Sequence, residues 1–94
     1  MSAQPLEIVH DTANQAFKAT VEEQVSVLEY QLRDKIMTIT HTGVPQALGG
    51  RGIASALTLF AAKTAEAAGW KIIPACSYAS TWFRRHPEYD KLLT

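Results

Sequence analysis

The run Gly49-Gly50-Arg51-Gly52-Ile53-Ala54 separates two different hydrophobic periods in this chain. Ile36–Thr42, before it, is β-branched and strand-like. After it, Ile53, Leu57, Phe60, Ala61, Thr64, Ala65 and Ala68 recur at helical spacing. A strand that turns through glycines into a helix aims unpaired backbone N–H groups at whatever lies in front of the turn. The first turn of a helix has no internal acceptors for those donors and carries about half a positive charge from the macrodipole. Glycines allow an anion to come close to such a backbone.

The residues before the loop alternate. Leu6 to His10 is a short apolar-polar run, and Asp11 to Gln15 holds turn-type residues including Asn14. Ala16 to Val21 sets Phe17, Ala19 and Val21 on one face, with Lys18 and Thr20 on the other. Gln24 to Leu32 reads as a longer strand with Val25 and Val27 on one face and Leu28, Tyr30 and Leu32 on the other. Arg33-Asp34-Lys35 is a tight charged turn into Ile36–Thr42, where Met37, Ile39 and His41 share a face. Connections this short predict an antiparallel meander of four strands.

Beyond the loop, the alanine-rich segment predicts a helix of about four turns, with Gly69 at its C-terminal cap. Trp70 to Ala75 reads as a fully buried strand, parallel to Ile36–Thr42 after a right-handed crossover. Ser77 is placed as the N-cap of a short helix over Tyr78 to His86, ended by Pro87, and Tyr89, Leu92 and Leu93 pack the tail back on the domain. The expected fold class is α+β. A mixed five-stranded sheet has an antiparallel N-terminal meander, one long helix after the glycine loop and a short C-terminal helix. The loop Val44–Gly52 then lies at the mouth of the sheet, where ligands often bind.

Composition narrows the function. Ninety-four residues suit one domain, residues 1–94. Nine basic and nine acidic residues cancel, so no nucleic-acid footprint is expected. Apolar stretches fall short of the roughly 20 residues of a membrane span, and Met1 to Pro5 lack a leader pattern. The single cysteine fits a reducing, cytoplasmic setting. His10, His41, His86 and Cys76 do not have zinc-type spacing, so no metal site is expected, and no Gly-Lys-Ser/Thr follows the glycines.

The loop and helix start resemble motif A of the GNAT acetyltransferase superfamily, Gln/Arg-x-x-Gly-x-Gly/Ala. Gly52 and Ala54 match its last two positions, while Gly49 departs from the first. Four segments resemble the small, single-domain YjdJ-type group of that superfamily: His41-Thr-Gly-Val44-Pro45, Leu48-Gly-Gly-Arg51-Gly52-Ile53-Ala54, Ile73-Pro74-Ala-Cys76-Ser77 and Arg85-His86-Pro87-Glu88-Tyr89. The resemblance implies a minimal GNAT fold and acetyl-CoA or coenzyme A as ligand. It implies that the pyrophosphate rests on the N–H groups of residues 50 to 54, with the pantetheine arm between two splayed parallel strands. Val44, Gly49, Gly50, Arg51, Gly52, Ile53, Ala54, Cys76, Tyr78 and Arg85 are the expected cofactor-binding residues.

Individual side chains leave choices open. Arg51 either adds a cation near the phosphates or is a solvated loop residue. Cys76 precedes a helix start, where the dipole favours a thiolate able to accept an acetyl group; the alternative is a small buried hydrophobe. His41 is either the base that deprotonates an ammonium acceptor or a satisfied structural group. Tyr78 and Tyr89 are proton-donor candidates or packing residues. Arg84 and Arg85 suit the helix C-terminus or reach the adenosine phosphates. The function expected is N-acetyl transfer from acetyl-CoA to an unidentified amine, protein lysine or small amine, with Cys76 and His41 as candidate catalytic residues. The alternative is a CoA-binding module with little or no transfer. The oligomeric state stays open.

Overall fold

The computed structural model describes residues 6–94; residues 1–5, read above as lacking a leader pattern, lie outside them. The order is β1 (Ile8–Asp11), β2 (Ala16–Val21), β3 (Gln24–Arg33), β4 (Ile36–Gly43), a 3-10 turn (Gln46–Leu48), α1 (Ile53–Ala68), β5 (Lys71–Pro74), α2 (Ser77–Arg84) and a 3-10 helix (Pro87–Leu92). The five strands form one sheet in sequence order, antiparallel through β4, with β5 parallel to β4. The expected α+β architecture is what forms.

Two hairpins turn without glycine. Glu22 and Glu23 between β2 and β3, and Asp34 and Lys35 between β3 and β4, all have positive φ. Two consecutive left-handed residues make the turn whose twist matches that of the flanking strands, and this outweighs the local cost at four charged residues. Asp11 closes the first connection by accepting from the backbone and side-chain nitrogens of Asn14.

Period-2 alternation gives the sheet one apolar face. Phe17, Ala19, Leu28, Tyr30, Met37, Ile39 and Ile72 form a single core with Ile53, Leu57, Ala61, Ala62 and Ala65 of α1 and with Trp82 and Phe83 of α2. Val25 lies on the opposite face and is exposed, so β3 is apolar on both faces in sequence but buried on one. The buried stripe of α1 includes Thr58 and Ala62, while Phe60 and Ala68 stay exposed. β5 is not the fully buried strand expected. Only Ile72 is buried and Ile73 is exposed, because β5 ends the sheet and only one of its faces meets α1. The C-terminal segment partly covers that edge: Leu93 bridges Ile72, and Thr94 N–H donates to the Ile72 carbonyl at 3.3 Å.

Candidate active site

β4 changes character at its midpoint. Up to Ile39 it pairs with β3 on one side and β5 on the other. The parallel register ends at Ile39 opposite Pro74, and the N–H groups of Ala75 and Cys76 both donate to the Ile39 carbonyl. The chain then leaves the sheet to start α2, while β4 continues to Gly43 beside β3 alone. On the side that β5 has left, residues 40–43 have no partner strand.

A bulge shapes this half. Tyr30 pairs with Ile39 and Glu29 with His41, so Thr40 is the extra residue, and its Oγ1 donates to the Glu29 carbonyl at 3.3 Å. Directly opposed residues share a face. The bulge therefore moves His41 off the face of Met37 and Ile39, contrary to the alternation in the sequence. His41 stands beside Glu29, exposed, on the face turned away from α1. Thr42 pairs with Leu28 and returns to the α1 side.

Thr42 meets Cys76 there, with Oγ1 and Sγ 3.5 Å apart. Cys76, not Ser77, is the N-cap of α2, and its Sγ accepts from the Ala79 N–H at 3.4 Å. A sulfur at this position satisfies one orphan donor of the helix, as a serine oxygen would. Trp82, two turns along α2, donates its indole N–H to Ser55 Oγ in the first turn of α1 at 2.9 Å. The start of α1 is thus tied to the last turn of α2.

The glycine loop supplies the start of α1. Gly50 and Gly52 have φ of +81° and +75°, a left-handed backbone that disfavours any side chain. A Cβ at either would meet nothing within 4 Å, so backbone conformation, not crowding, calls for glycine. Gly52 is the N-cap and offers no side-chain acceptor, and no acidic residue occupies the first turn. The leading N–H groups of α1 are left for an external acceptor. Buried Leu48 anchors the loop from below.

The remaining predicted residues are distributed around this centre. Arg51 pairs with Glu22 of the β2–β3 turn at 2.6 Å, both side chains largely exposed. Tyr78 is exposed near the start of α2, and exposed Arg85 caps its end. Val44 packs against the core. Tyr89 stacks on Trp82 with ring centroids 5.9 Å apart. His86 stacks on the same indole at 3.8 Å and donates Nδ1–H to the Trp82 carbonyl at 2.7 Å. The structure thus brings Cys76 together with Thr42 and sets the glycine loop at the α1 start, but separates His41 from Cys76 by the plane of the sheet. Sequence reasoning missed Thr42, Glu29 and Ser55. By alternation Thr42 falls with Thr38 and Thr40 on the polar face, and only the bulge returns it to the α1 side, so no sequence signal marks it or the other two.

No helix among the described residues is long and apolar enough to cross a membrane. The same residues contain no group of three His, Cys, Asp or Glu able to hold a metal ion.

A family model for GCN5-related N-acetyltransferases matches residues 16–92. The chain belongs to that family. Its fold is similar to the NMR solution structure of a GCN5-like candidate N-acetyltransferase from Staphylococcus aureus. The TM-score is 0.76 at 27% identity, covering 95% of this chain and 88% of that one. For a family member, the open half of β4 and the uncapped start of α1 form the natural candidate site.

Proposed function

We propose that this chain is an acetyl-CoA-dependent N-acetyltransferase that transfers the acetyl group to a protein lysine or a small amine. The observation that carries this reading is the uncapped, acid-free start of α1, formed by left-handed Gly50 and Gly52 next to the unpaired half of β4. These residues fit coenzyme A: the space above both glycines is open, and the free N–H groups suit a pyrophosphate. Bound acetyl-CoA supplies an activated acyl thioester.

In this reading Gly49, Gly50, Arg51, Gly52, Ile53 and Ala54 hold the phosphates, with Val44, Cys76, Tyr78 and Arg85 along the rest of the ligand. Arg51 adds a cation only by sharing its guanidinium with Glu22, which weakens its contribution. His41 takes the proton from the acceptor ammonium on the opposite face of β4. Holding the two reactants together supplies much of the rate. Cys76, with Thr42 and the Ala79 N–H around its sulfur, is the thiol this reading assigns to the acetyl group. The reading treats residues 1–94 as one acetyl-CoA-binding domain of the YjdJ-type group, acting in the cytoplasm.

The test is calorimetric titration with CoA, paired with intact-mass analysis after incubation with acetyl-CoA and an amine panel. Saturable binding with amine acetylation supports the transferase. A gain of about 42 Da on Cys76 adds a covalent route through the thiol. Binding without turnover favours the CoA-binding module.

A further inference from the structure

We propose that the acceptor is a cationic primary amine on an aliphatic stem, bound on the β4 face turned away from α1, and that Glu29 is the carboxylate that recognises it. This rests on the reading of His41 as the base. Three observations support it.

The bulge at Thr40 puts His41 directly opposite Glu29, and both side chains are exposed. The Thr40 hydroxyl bond to the Glu29 carbonyl ties the bulge to that residue. Gly43 gives the second observation. Its φ is not among the positive values, so its backbone does not call for glycine. A Cβ there would stand 2.9 Å from His41 Nε2, so the imidazole lies back over Gly43, along the half of β4 that β5 has left. Glycine at 43 makes room for the ring and acts as a positioning residue.

The third is charge. Among the described residues the carboxylates in salt bridges are Asp11, Glu22 and Glu66, and Glu29 is not one of them. On this face Glu29 is flanked along β3 by half-buried Val27 and by Gln31 and faces Ala16 across β2; of the cations on the face, Lys18, opposite Val27, is paired with Asp11, and Arg33 lies two positions beyond Gln31 at the end of β3. One unpaired negative charge beside a base, with an apolar side chain next to it, suits an ammonium carried on methylenes. The carboxylate holds the ammonium, one N–H proton passes to His41, and the neutral amine then has its lone pair free for the acyl carbon.

The experiment titrates the 15N-labelled full chain with n-butylammonium chloride and, separately, with neutral n-butanol. Saturable amide shifts at Glu29, His41 and Gly43 with the ammonium alone are expected, weakening with added salt. Glu29→Gln should weaken the interaction roughly two- to fivefold, with partial rescue in Glu29→Asp. It should raise KM for n-butylamine while leaving kcat little changed. Gly43→Ala should displace the His41 ring resonances and lower kcat instead. Equal shifts with butanol, shifts confined to another surface, or an unchanged response in Glu29→Gln would overturn the proposal. CoA titration of the same samples separates the two readings. Lost CoA binding defeats the acetyltransferase reading, whereas intact CoA binding with no ammonium response at Glu29 defeats only this one.

Discussion

The two halves of β4 are continuous in sequence and opposite in role. Ile36–Ile39 lies between two strands, with Met37 and Ile39 fully buried beneath α1. Thr40–Gly43 has a strand on one side only and carries hydroxyls, an imidazole and a glycine. One extra residue at the bulge and the departure of β5 at Pro74 make the difference. The first half converts apolar area into stability; the second gives up pairing on one side and carries polar groups instead. A single strand can thus anchor a fold and present a candidate site within eight residues.

Truncation in the anchoring half should have the largest effect. Met37→Ala or Ile39→Ala removes a fully buried side chain and should cost about 2–5 kcal/mol. Thermal unfolding should show Tm falling by more than about 10 °C. CoA affinity measured well below that Tm should be unchanged, and an equal loss of affinity would erase the distinction between the halves. Gly52→Asp tests the site side. An aspartate N-cap supplies its own acceptor to the first turn and adds a negative charge where phosphates are proposed to sit. Calorimetry should show CoA affinity at least about tenfold weaker, roughly 1.4 kcal/mol. The left-handed φ should add a stability cost of about 1–2 kcal/mol.

Thr42→Val keeps shape and removes the hydroxyl beside Cys76. Alkylation of Cys76 by iodoacetamide should slow by roughly two- to tenfold with Tm little changed. An unchanged rate would remove Thr42 from the site. The smallest effect lies far from β4. Hydrogen bonds from Asn14 and then Lys18 lower the Asp11 carboxyl from 3.8 to about 2. A depressed carboxylate contributes stability above its unfolded value that is lost as pH falls through the folded one. Acid unfolding between pH of about 4 and 2 should therefore be slightly less pH-dependent in Asp11→Asn, while CoA binding is untouched.

Much of the anchoring structure was legible because it follows repeating physical rules. Phe17, Ala19 and Leu28 announced the buried face by alternation, and Gly69, with φ of +77°, ended α1 where its sequence position indicated. The glycine loop announced the start of α1 in the same way. What stayed hidden depended on single residues acting against the local pattern. The turn at Asp34-Lys35 was legible from its charged residues, but the left-handed backbone there and at Glu22-Glu23, without glycine or asparagine, was not, because strand twist selects it. The Thr40 bulge leaves no mark in Met37-Thr-Ile39-Thr-His41, which reads as unbroken alternation, so His41 was assigned to the wrong face. Cys76 as an N-cap was obscured by Ser77, the better capping residue by type. Ile73 looks like a core residue in sequence and is exposed because β5 has one partner strand and one covered face.

The most direct test of the account is calorimetric titration of CoA into the wild-type chain and into Gly52→Asp under the same conditions. Saturable binding to the wild type, with affinity lost in a variant that remains folded by thermal melting, is the predicted result. Absence of binding to the wild type, or equal affinity in a folded Gly52→Asp protein, would contradict the assignment of the α1 start as the phosphate site.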